Sequence, residues 1–224
     1  MSRVQEQMVQ EIGKKYGEME WSLDQAGRAL PPGTERKDAA RNRRKIVETA
    51  RRLFSERGVT QVSMEEISRA AGVGKGTLYR RFPNKGLLCQ ALMDEPTREF
   101  QEETLRILGD ARRGPLEKLD LFLDGLVRFT DENLDLLYGG NEPLCGADRL
   151  ARFEHPAFDW RRWTVLGLLR AAAREGDLNE TLDLEYLAAA LLAPLDVDFF
   201  YFQRRVREMT TKRISAGLRS LVPT

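Results

Sequence analysis

The sequence is poor in the residues that most often build disulfides, metal centres and nucleophilic active sites. It has 2 cysteines, Cys89 and Cys145, and a single histidine, His155, among 224 residues. Two cysteines do not make a disulfide framework, and no CxxC or histidine-rich spacing indicates a metal. A phosphate-binding glycine loop and a nucleophile motif are lacking as well. We therefore expect no cofactor and no enzymatic activity.

Long apolar runs are also lacking. The longest uncharged apolar run covers residues 186–195 and includes Pro194, whereas a membrane-spanning helix needs about 20 apolar residues. The first residues do not show the uninterrupted apolar core of a signal peptide. The sequence therefore predicts a cytoplasmic protein with no membrane partner.

Charge is nearly balanced over the whole chain but is distributed unevenly along it. The formal net charge is +1, yet residues 36–85 carry 14 Lys and Arg against 5 Asp and Glu, so that the rest of the chain is net negative. A hydrophobic content of 42% is ordinary for a globular protein. A local positive charge indicates a polyanionic partner for this stretch alone.

Apolar residues recur at helical spacing along most of the chain, and no period-two alternation indicates a strand. The sequence therefore predicts an all-α fold. Residues 1–30 read as an amphipathic helix, either a packed accessory helix or a mobile arm, and Pro31-Pro32-Gly33 ends it. The further predicted helices are 38–57, 63–71, 73–82, 85–108 with a kink or break at Pro96, 115–129, 134–138, 158–175, 183–203 and 210–221.

The most informative stretch is 63–82, which reads as two short helices joined by a tight turn. Ser63 and Glu66 have the spacing of a capping box, which predicts that a helix begins there. Gly72 supplies the positive φ that a sharp helix-to-helix turn needs. The second helix has an apolar side, including Leu78, and a side of basic, hydroxyl and aromatic groups. Such a helix suits a DNA groove.

From Gly72 to Lys85 the sequence reads GVGKGTLYRRFPNK, and it strongly resembles the TetR (tetracycline-repressor) family of bacterial regulators. The similarity covers residues 38–93. It implies an N-terminal three-helix helix-turn-helix domain at 36–85 and a helical ligand-binding and dimerisation domain at 86–224, with 1–35 as an N-terminal extension. Ser68 stands where the family often has alanine.

The resemblance implies DNA contacts from both helices of the motif and from the residues that flank them. Phosphate contacts would come from Tyr79, Lys85 and Thr77, and bases would be read around Lys75 and Gly76. Tyr79 could alternatively be a half-buried core tyrosine, and Lys75 a solvated surface lysine. The full implied set is Thr60, Ser63, Lys75, Gly76, Thr77, Tyr79, Arg80, Arg81 and Lys85.

The resemblance also implies an apolar cavity for a small-molecule effector in the second domain. Candidate lining residues are Phe122, Leu126, Phe129, Tyr138, Cys145, Phe153, His155 and Phe158. The alternative for most of them is plain core, and for Cys145 and His155 it is a surface loop. Asp196 and Asp198 fall inside the predicted apolar helix 183–203. We expect them to be buried and paired with arginines across a dimer, or to meet a cationic ligand.

Two helices, 158–175 and 183–203, are apolar on several sides. Such helices are typical of a subunit interface in which four helices from two chains pack together, although a monomeric core is the alternative. Helix-turn-helix proteins usually bind two half-sites as dimers. We expect the homodimer interface to contain Trp163, Leu166, Leu187, Leu191, Leu195 and Phe199.

Taken together, these patterns predict a ligand-responsive, dimeric DNA-binding transcriptional regulator. The expected form is a repressor that a small molecule releases from a palindromic double-stranded DNA operator. An architectural protein that binds DNA without ligand control is the alternative. An enzyme with an appended basic domain is a further alternative, which the lack of catalytic motifs disfavours.

Overall fold

The computed structural model describes residues 37–140, 156–179 and 181–223. Regular structure in these ranges is helical throughout, which confirms the predicted all-α class. The predictions for residues 1–35 and for Cys145, Phe153 and His155 concern positions outside the described residues. No helix within the described ranges has the length and apolar character needed to cross a bilayer.

The described residues form two compact units. The N-terminal unit contains residues 37–96 and 135–140, and the C-terminal unit contains residues 97–134, 156–179 and 181–223. The predicted domain boundaries at residues 35 and 85 stay predictions.

The N-terminal unit is built from helices α1 (Lys37–Arg57), α2 (Met64–Ala71), α3 (Lys75–Arg81) and the first part of α4 (Lys85–Gly109). One buried core joins them, and a short helix α6 (Leu134–Gly139) adds Leu136 to it. The core residues are Ile46, Ala50, Leu53, Phe54, Val59, Val62, Met64, Ile67, Leu78, Phe82, Leu88, Cys89 and Leu92. The apolar faces of α1, α2 and α3 thus pack together.

Close backbone approach explains the glycines where α6 meets the start of α4. A Cβ at Gly86 would lie 2.7 Å from the carbonyl oxygen of Gly140, and a Cβ at Gly140 would lie 2.8 Å from the Cβ of Cys89. A Cβ at Gly139 would lie 2.6 Å from Cγ1 of Val59. Only glycine fits at such separations.

Helix α4 is continuous from Lys85 to Gly109 and contains Pro96. The helix therefore does not break at Pro96, and the alternative of a kink stays a prediction. A proline inside a helix removes one hydrogen bond and costs about 3 kcal/mol. Burial of Leu92 and Met93 before Pro96, and of Phe100 after it, offsets that cost because helices in proteins gain most of their stability from packing.

The C-terminal unit contains the second part of α4, followed by α5 (Pro115–Glu132), α7 (Pro156–Glu175), α8 (Leu184–Leu192), α9 (Val197–Tyr201) and α10 (Thr211–Ser220). Helix α5 packs against α7 and α10, and α7 also packs against α8. Pro115 occupies the first turn of α5, as predicted. Phe122, Leu166, Leu191 and Phe200 are among the fully buried side chains of this unit.

The predicted helix 183–203 is interrupted in the structure, and this prediction is wrong. After α8 the chain makes a 3₁₀ turn at Ala193–Leu195, then α9, and then a π-helical turn at Phe202–Val206. Pro194 lacks an N–H and cannot continue the α-helical ladder. Its carbonyl oxygen instead accepts a hydrogen bond from Nε2 of Gln203, at 2.7 Å.

The interruption also changes the surroundings of two carboxylates that were expected to be buried. Asp196 is the N-cap of α9, and its Oδ1 accepts a hydrogen bond from the backbone N–H of Asp198 at 3.2 Å. Asp196 is half-buried and Asp198 is exposed. The expected burial is therefore not found within the single chain, whereas the pairing across a dimer or with a cationic ligand stays a prediction.

Candidate nucleic-acid interface

The predicted capping box begins helix α2. The backbone N–H of Ser63 donates to Oε2 of Glu66 at 2.8 Å, and the backbone N–H of Glu66 donates to the Ser63 hydroxyl at 3.2 Å. Arg57 also donates to Glu66, at 3.0 Å. The hydrogen bonds from Ser63, followed by the one from Arg57, lower the pKa of Glu66 from 4.5 to about 2. The start of the motif is thus locked by charge-assisted bonds.

The turn between α2 and α3 is held from both sides. Gly72 has φ 65°, in the left-handed region that favours glycine. The backbone N–H of Val73 donates to the carbonyl oxygen of Ser68 at 3.1 Å, and the Ser68 hydroxyl donates to the carbonyl oxygen of Val73 at 2.7 Å. Ser68 therefore adds a bond to the turn that alanine at this position would lack.

Helix α3 buries one side and exposes the other. Leu78 is fully buried and Phe82, just after the helix, is 4% exposed. Lys75, Gly76 and Arg80 are exposed, and Tyr79 has 43% of its surface accessible. The alternative in which Tyr79 is a half-buried core residue does not hold. An added Cβ at Gly76 would meet nothing within 4 Å, so the backbone is open to a close approach there.

Lys75 forms an ion pair with Glu65 of α2, through its Nζ and the Oε1 of the carboxylate. The hydrogen bond and the positive charge of Lys75 lower the pKa of the Glu65 carboxyl. Both side chains are more than half exposed, so this pair is accessible to solvent and competing anions. Lys75 is thus held by the motif itself, on its exposed surface.

The remaining predicted DNA contacts differ in how accessible they are. Thr60 and Ser63 are exposed and Thr77 is half-buried. Lys85 donates from Nζ to the carbonyl oxygen of Val59 at 3.1 Å, which ties the start of α4 to the loop after α1. Partial burial lowers the pKa of Arg81.

Three arginines of α1 form ion pairs with acidic groups. Arg43 pairs with Asp94 at 3.3 Å and Arg51 pairs with Glu95 at 3.4 Å, both on α4. Arg52 pairs with Glu56 one turn along α1, at 3.2 Å. The positive charge that the sequence placed on this helix therefore has acidic neighbours on its surface, and such exposed pairs are individually weak.

Comparison with known proteins agrees with this geometry. Residues 46–92 match the family model described as bacterial regulatory proteins, tetR family. An HTH-type transcriptional regulator of Staphylococcus aureus (strain bovine RF122 / ET3-1) is 38% identical over 112 residues, which are 49% of this chain and 60% of that protein. The chain thus matches about three fifths of the length of these curated relatives.

Residues 46–92 are thus similar to the DNA-binding domain of tetR-family regulators.

Solved structures of TetR-family proteins share the fold over most of the chain. A TetR/AcrR-family regulator from Thermobifida fusca has a TM-score of 0.60 at 20% identity, covering 81% of this chain and 96% of that one. FadR of Thermus thermophilus, a repressor in complex with lauroyl-CoA, has a TM-score of 0.60 at 24% identity, covering 80% of this chain and 92% of that one. At these identities the likeness shows the fold alone.

The predicted ligand-pocket residues that lie in the described part of the chain have different surroundings. Phe122 and Leu126 are fully buried and Phe129 is 5% exposed, so all three are core residues of the C-terminal unit. Tyr138 belongs to the N-terminal unit and is 38% exposed. Phe158 is half-buried at the start of α7.

Two of the predicted pocket residues instead belong to an aromatic cluster of Phe100, Phe122, Phe129 and Trp160. Phe100 stacks on Phe129 with ring centroids 4.9 Å apart, and the edge of Trp160 meets both Phe100 and Phe122. The guanidinium of Arg161 lies 5.6 Å from the centroid of Phe129. Sequence reasoning missed Arg161, although a charged residue between Trp160 and Trp163 in an apolar helix was a usable signal.

A separate groove of about 300 Å³ runs between α5 and α10. Its lining is mostly charged and contains none of the predicted pocket residues. Asp124 pairs with Arg219 at 2.7 Å, and Asp131 receives two bonds from Arg204, which raise the pKa of that guanidinium. The charges in this groove serve to fasten the C-terminal helices to α5.

Three of the residues predicted for the dimer interface are buried within their own chain. Leu166 and Leu191 are fully buried within their own chain, and Leu195 is 5% exposed. The apolar periodicity of α7 and α8 reflects this intrachain core. Of the other predicted interface residues, Trp163 and Leu187 are half-buried and Phe199 is 50% exposed.

Proposed function

We propose that the chain is a ligand-responsive transcriptional regulator that binds a palindromic DNA operator as a homodimer and represses the adjacent promoter. The observation that carries the proposal is α3. It is anchored by Leu78 and Phe82 and held at a fixed angle to α2 by the Ser68–Val73 bonds. Its outer side offers basic, aromatic and glycine positions, which are the groups that enter a major groove.

We assign different roles to the exposed groups of this surface. Lys75 and Gly76 lie at the N-terminal end of α3, where recognition helices contact base edges, and a lysine there can bind a guanine edge. Tyr79, Thr77, Lys85, Thr60 and Ser63 would contact phosphates and set the register. Arg80 is exposed and suits either role, whereas the partial burial of Arg81 favours a supporting one.

Binding-site selection from random duplexes, followed by footprinting, tests this function. A regulator protects a palindrome whose half-sites are about 34–36 Å apart, or a near multiple of that distance. Uniform coverage of unrelated DNA, with strong salt dependence, would instead support an architectural protein. Absence of any binding would refute the proposal.

We propose that the second copy binds at an exposed apolar surface around α9, here called the α9 surface. It consists of Phe199, Phe202 and Val206, with exposed fractions of 50, 42 and 60%. Phe199 and Phe202 stack with ring centroids 6.3 Å apart. Large apolar groups in contact with water are typical of an interface with another chain, and a two-fold palindrome needs two copies of α3.

A single charge placed on the α9 surface tests the dimer. Phe199→Asp should give a folded monomer in sedimentation velocity and should weaken operator binding, because each copy then binds one half-site. Leu105→Asp introduces the same charge at a residue of α4 that is 41% exposed and lies outside this surface, and it should leave the dimer intact. If the Phe199→Asp protein is still dimeric, the interface does not lie at the α9 surface.

We propose that the C-terminal unit binds the effector at the aromatic cluster. Ligand-bound relatives with the same fold support this assignment: one repressor is in complex with lauroyl-CoA, and SmeT is in complex with triclosan. Both ligands have large apolar parts, as the cluster requires. An effector releases DNA only to the extent that it prefers the conformation that does not bind DNA.

A further inference from the structure

Arg161 differs from the neighbouring arginines in the partners of its guanidinium group. In the described part of the chain, its guanidinium forms no hydrogen bond or ion pair, and its recorded contact is with the face of Phe129. The next residue, Arg162, donates to Glu185 at 2.8 Å and lies 4.4 Å from the centroid of the Trp163 ring. Arg170 donates to the same carboxylate, at 2.8 Å.

The surroundings of Arg161 disfavour its charge. Arg161 is half-buried, and burial lowers its pKa to about 10; among the residues that the structure describes, no carboxylate counters that effect. Contact with an aromatic face recovers only part of the lost hydration of a cation. A charge in such a position costs free energy unless an anion pairs with it. The N–H groups of this guanidinium can therefore donate hydrogen bonds to an anion that binds from outside the chain.

We propose that Arg161 is the head-group receptor of the effector site and that the effector is a monocarboxylate with an apolar body. The proposal rests on the proposed function above and names the chemical class of its effector. One guanidinium matches one carboxylate through two parallel hydrogen bonds. A phosphate dianion would call for a second cation, and the adjacent Arg162 is already paired with Glu185.

The apolar body is placed by the aromatic cluster. Arg161 and Trp160 are adjacent in α7, and Phe129 of α5 lies against both the guanidinium and the ring of Phe100. Trp160 is half-buried and so retains accessible surface, unlike Phe122, which is fully buried. A carboxylate at Arg161 therefore places the adjoining part of the ligand beside aromatic surface.

Melting of the full chain in the absence of DNA tests the proposal with paired probes. Phenylacetate and decanoate carry the carboxylate on an aromatic or an aliphatic body, and phenylacetamide and decanamide are their uncharged counterparts. At about ten times its Kd, a carboxylate that binds should raise Tm by roughly 3–5 °C, and its amide should not. The body that gives the larger rise identifies the class of effector.

Two substitutions separate the charge from the fold. Arg161→Met keeps the apolar stem and removes the charge, so it should melt no lower than the parent chain and lose the carboxylate-dependent rise. Arg162→Met removes the neighbouring charge and should retain that rise. Arg161→Lys keeps the charge without the bidentate fork, and it should bind the carboxylate more weakly than the parent chain.

Several results would overturn the proposal. One is an equal shift in Tm with a carboxylate and its amide. Another is a carboxylate-dependent shift in Tm that Arg161→Met leaves unchanged, and a third is no shift in Tm with either carboxylate in the parent chain. Unfolding of Arg161→Met alone would also overturn it, because a cation without a partner among the described residues can be neutralised without loss of stability. Operator binding measured without probe is a separate readout, so a failure here leaves the DNA-binding function standing.

Discussion

The hydroxyl of Ser68 has a predictable energetic role in the helix-turn-helix. Ser68 is 3% exposed, and its hydroxyl donates to the carbonyl oxygen of Val73 at 2.7 Å. Ser68→Ala removes this bond, which contributes about 0.5–1.5 kcal/mol, and leaves the carbonyl with fewer partners. The higher helix propensity of alanine offsets up to about 0.5 kcal/mol of this loss in stability. We expect the free energy of unfolding to fall by about 0.5–1 kcal/mol.

Urea denaturation followed by circular dichroism measures this change, and Ser55→Ala provides the matched control. Ser55 lies on the exposed side of α1, so the same substitution there changes helix propensity without removing a buried bond. Its free energy of unfolding should stay the same or rise by a few tenths of a kcal/mol. If Ser68→Ala and Ser55→Ala change stability equally, the bond to Val73 does not contribute and the reasoning is refuted.

Three further predictions concern the same unit. Gly86→Ala places a Cβ 2.7 Å from the Gly140 carbonyl oxygen and should lower the free energy of unfolding, measured by urea denaturation, by about 1–3 kcal/mol. The control Gly76→Ala adds a Cβ that meets nothing within 4 Å and should not destabilise the chain. Glu65→Gln releases Lys75 and should tighten operator binding a few-fold at low salt in an anisotropy titration. The control Glu117→Gln, in the C-terminal unit, should leave operator binding unchanged. Weaker binding of Glu65→Gln would show that Glu65 positions Lys75 instead. Because the pKa of Glu66 is lowered to about 2, its contribution to stability is complete above its ordinary pKa of 4.5 and is lost as the pH falls toward 2. Glu66→Gln should therefore make the free energy of unfolding depend less on pH over that window. An unchanged pH dependence would contradict the assignment.

The N-terminal motif was predictable because its signals are local. The Ser63–Glu66 capping box, the turn at Gly72 and the burial of Leu78 each follow from residues close in sequence. The partners of its charged groups were not predictable in this way. The pair between Lys75 and Glu65 arises only when α2 and α3 pack against each other.

The C-terminal unit was less predictable, since an apolar stripe has the same period whether it faces a core or another subunit. Leu191 and Leu166 fit either reading by spacing, and the structure places both in the intrachain core. Pro194 was visible in the sequence, but the apolar periodicity around it was given more weight than its missing N–H. The bonds that stabilise the resulting interruption, such as that from Gln203 to the Pro194 carbonyl oxygen, depend on the folded geometry.

The most direct test of the account is the ratio of affinities for a selected operator and for a scrambled duplex of equal length, measured at one salt concentration. The account predicts a ratio of roughly 10³ or more for the parent chain. Lys75→Met should lower that ratio about 10- to 100-fold, whereas Tyr79→Phe should weaken both complexes alike. Equal affinity of the parent chain for the two duplexes would contradict the claim that α3 reads DNA sequence.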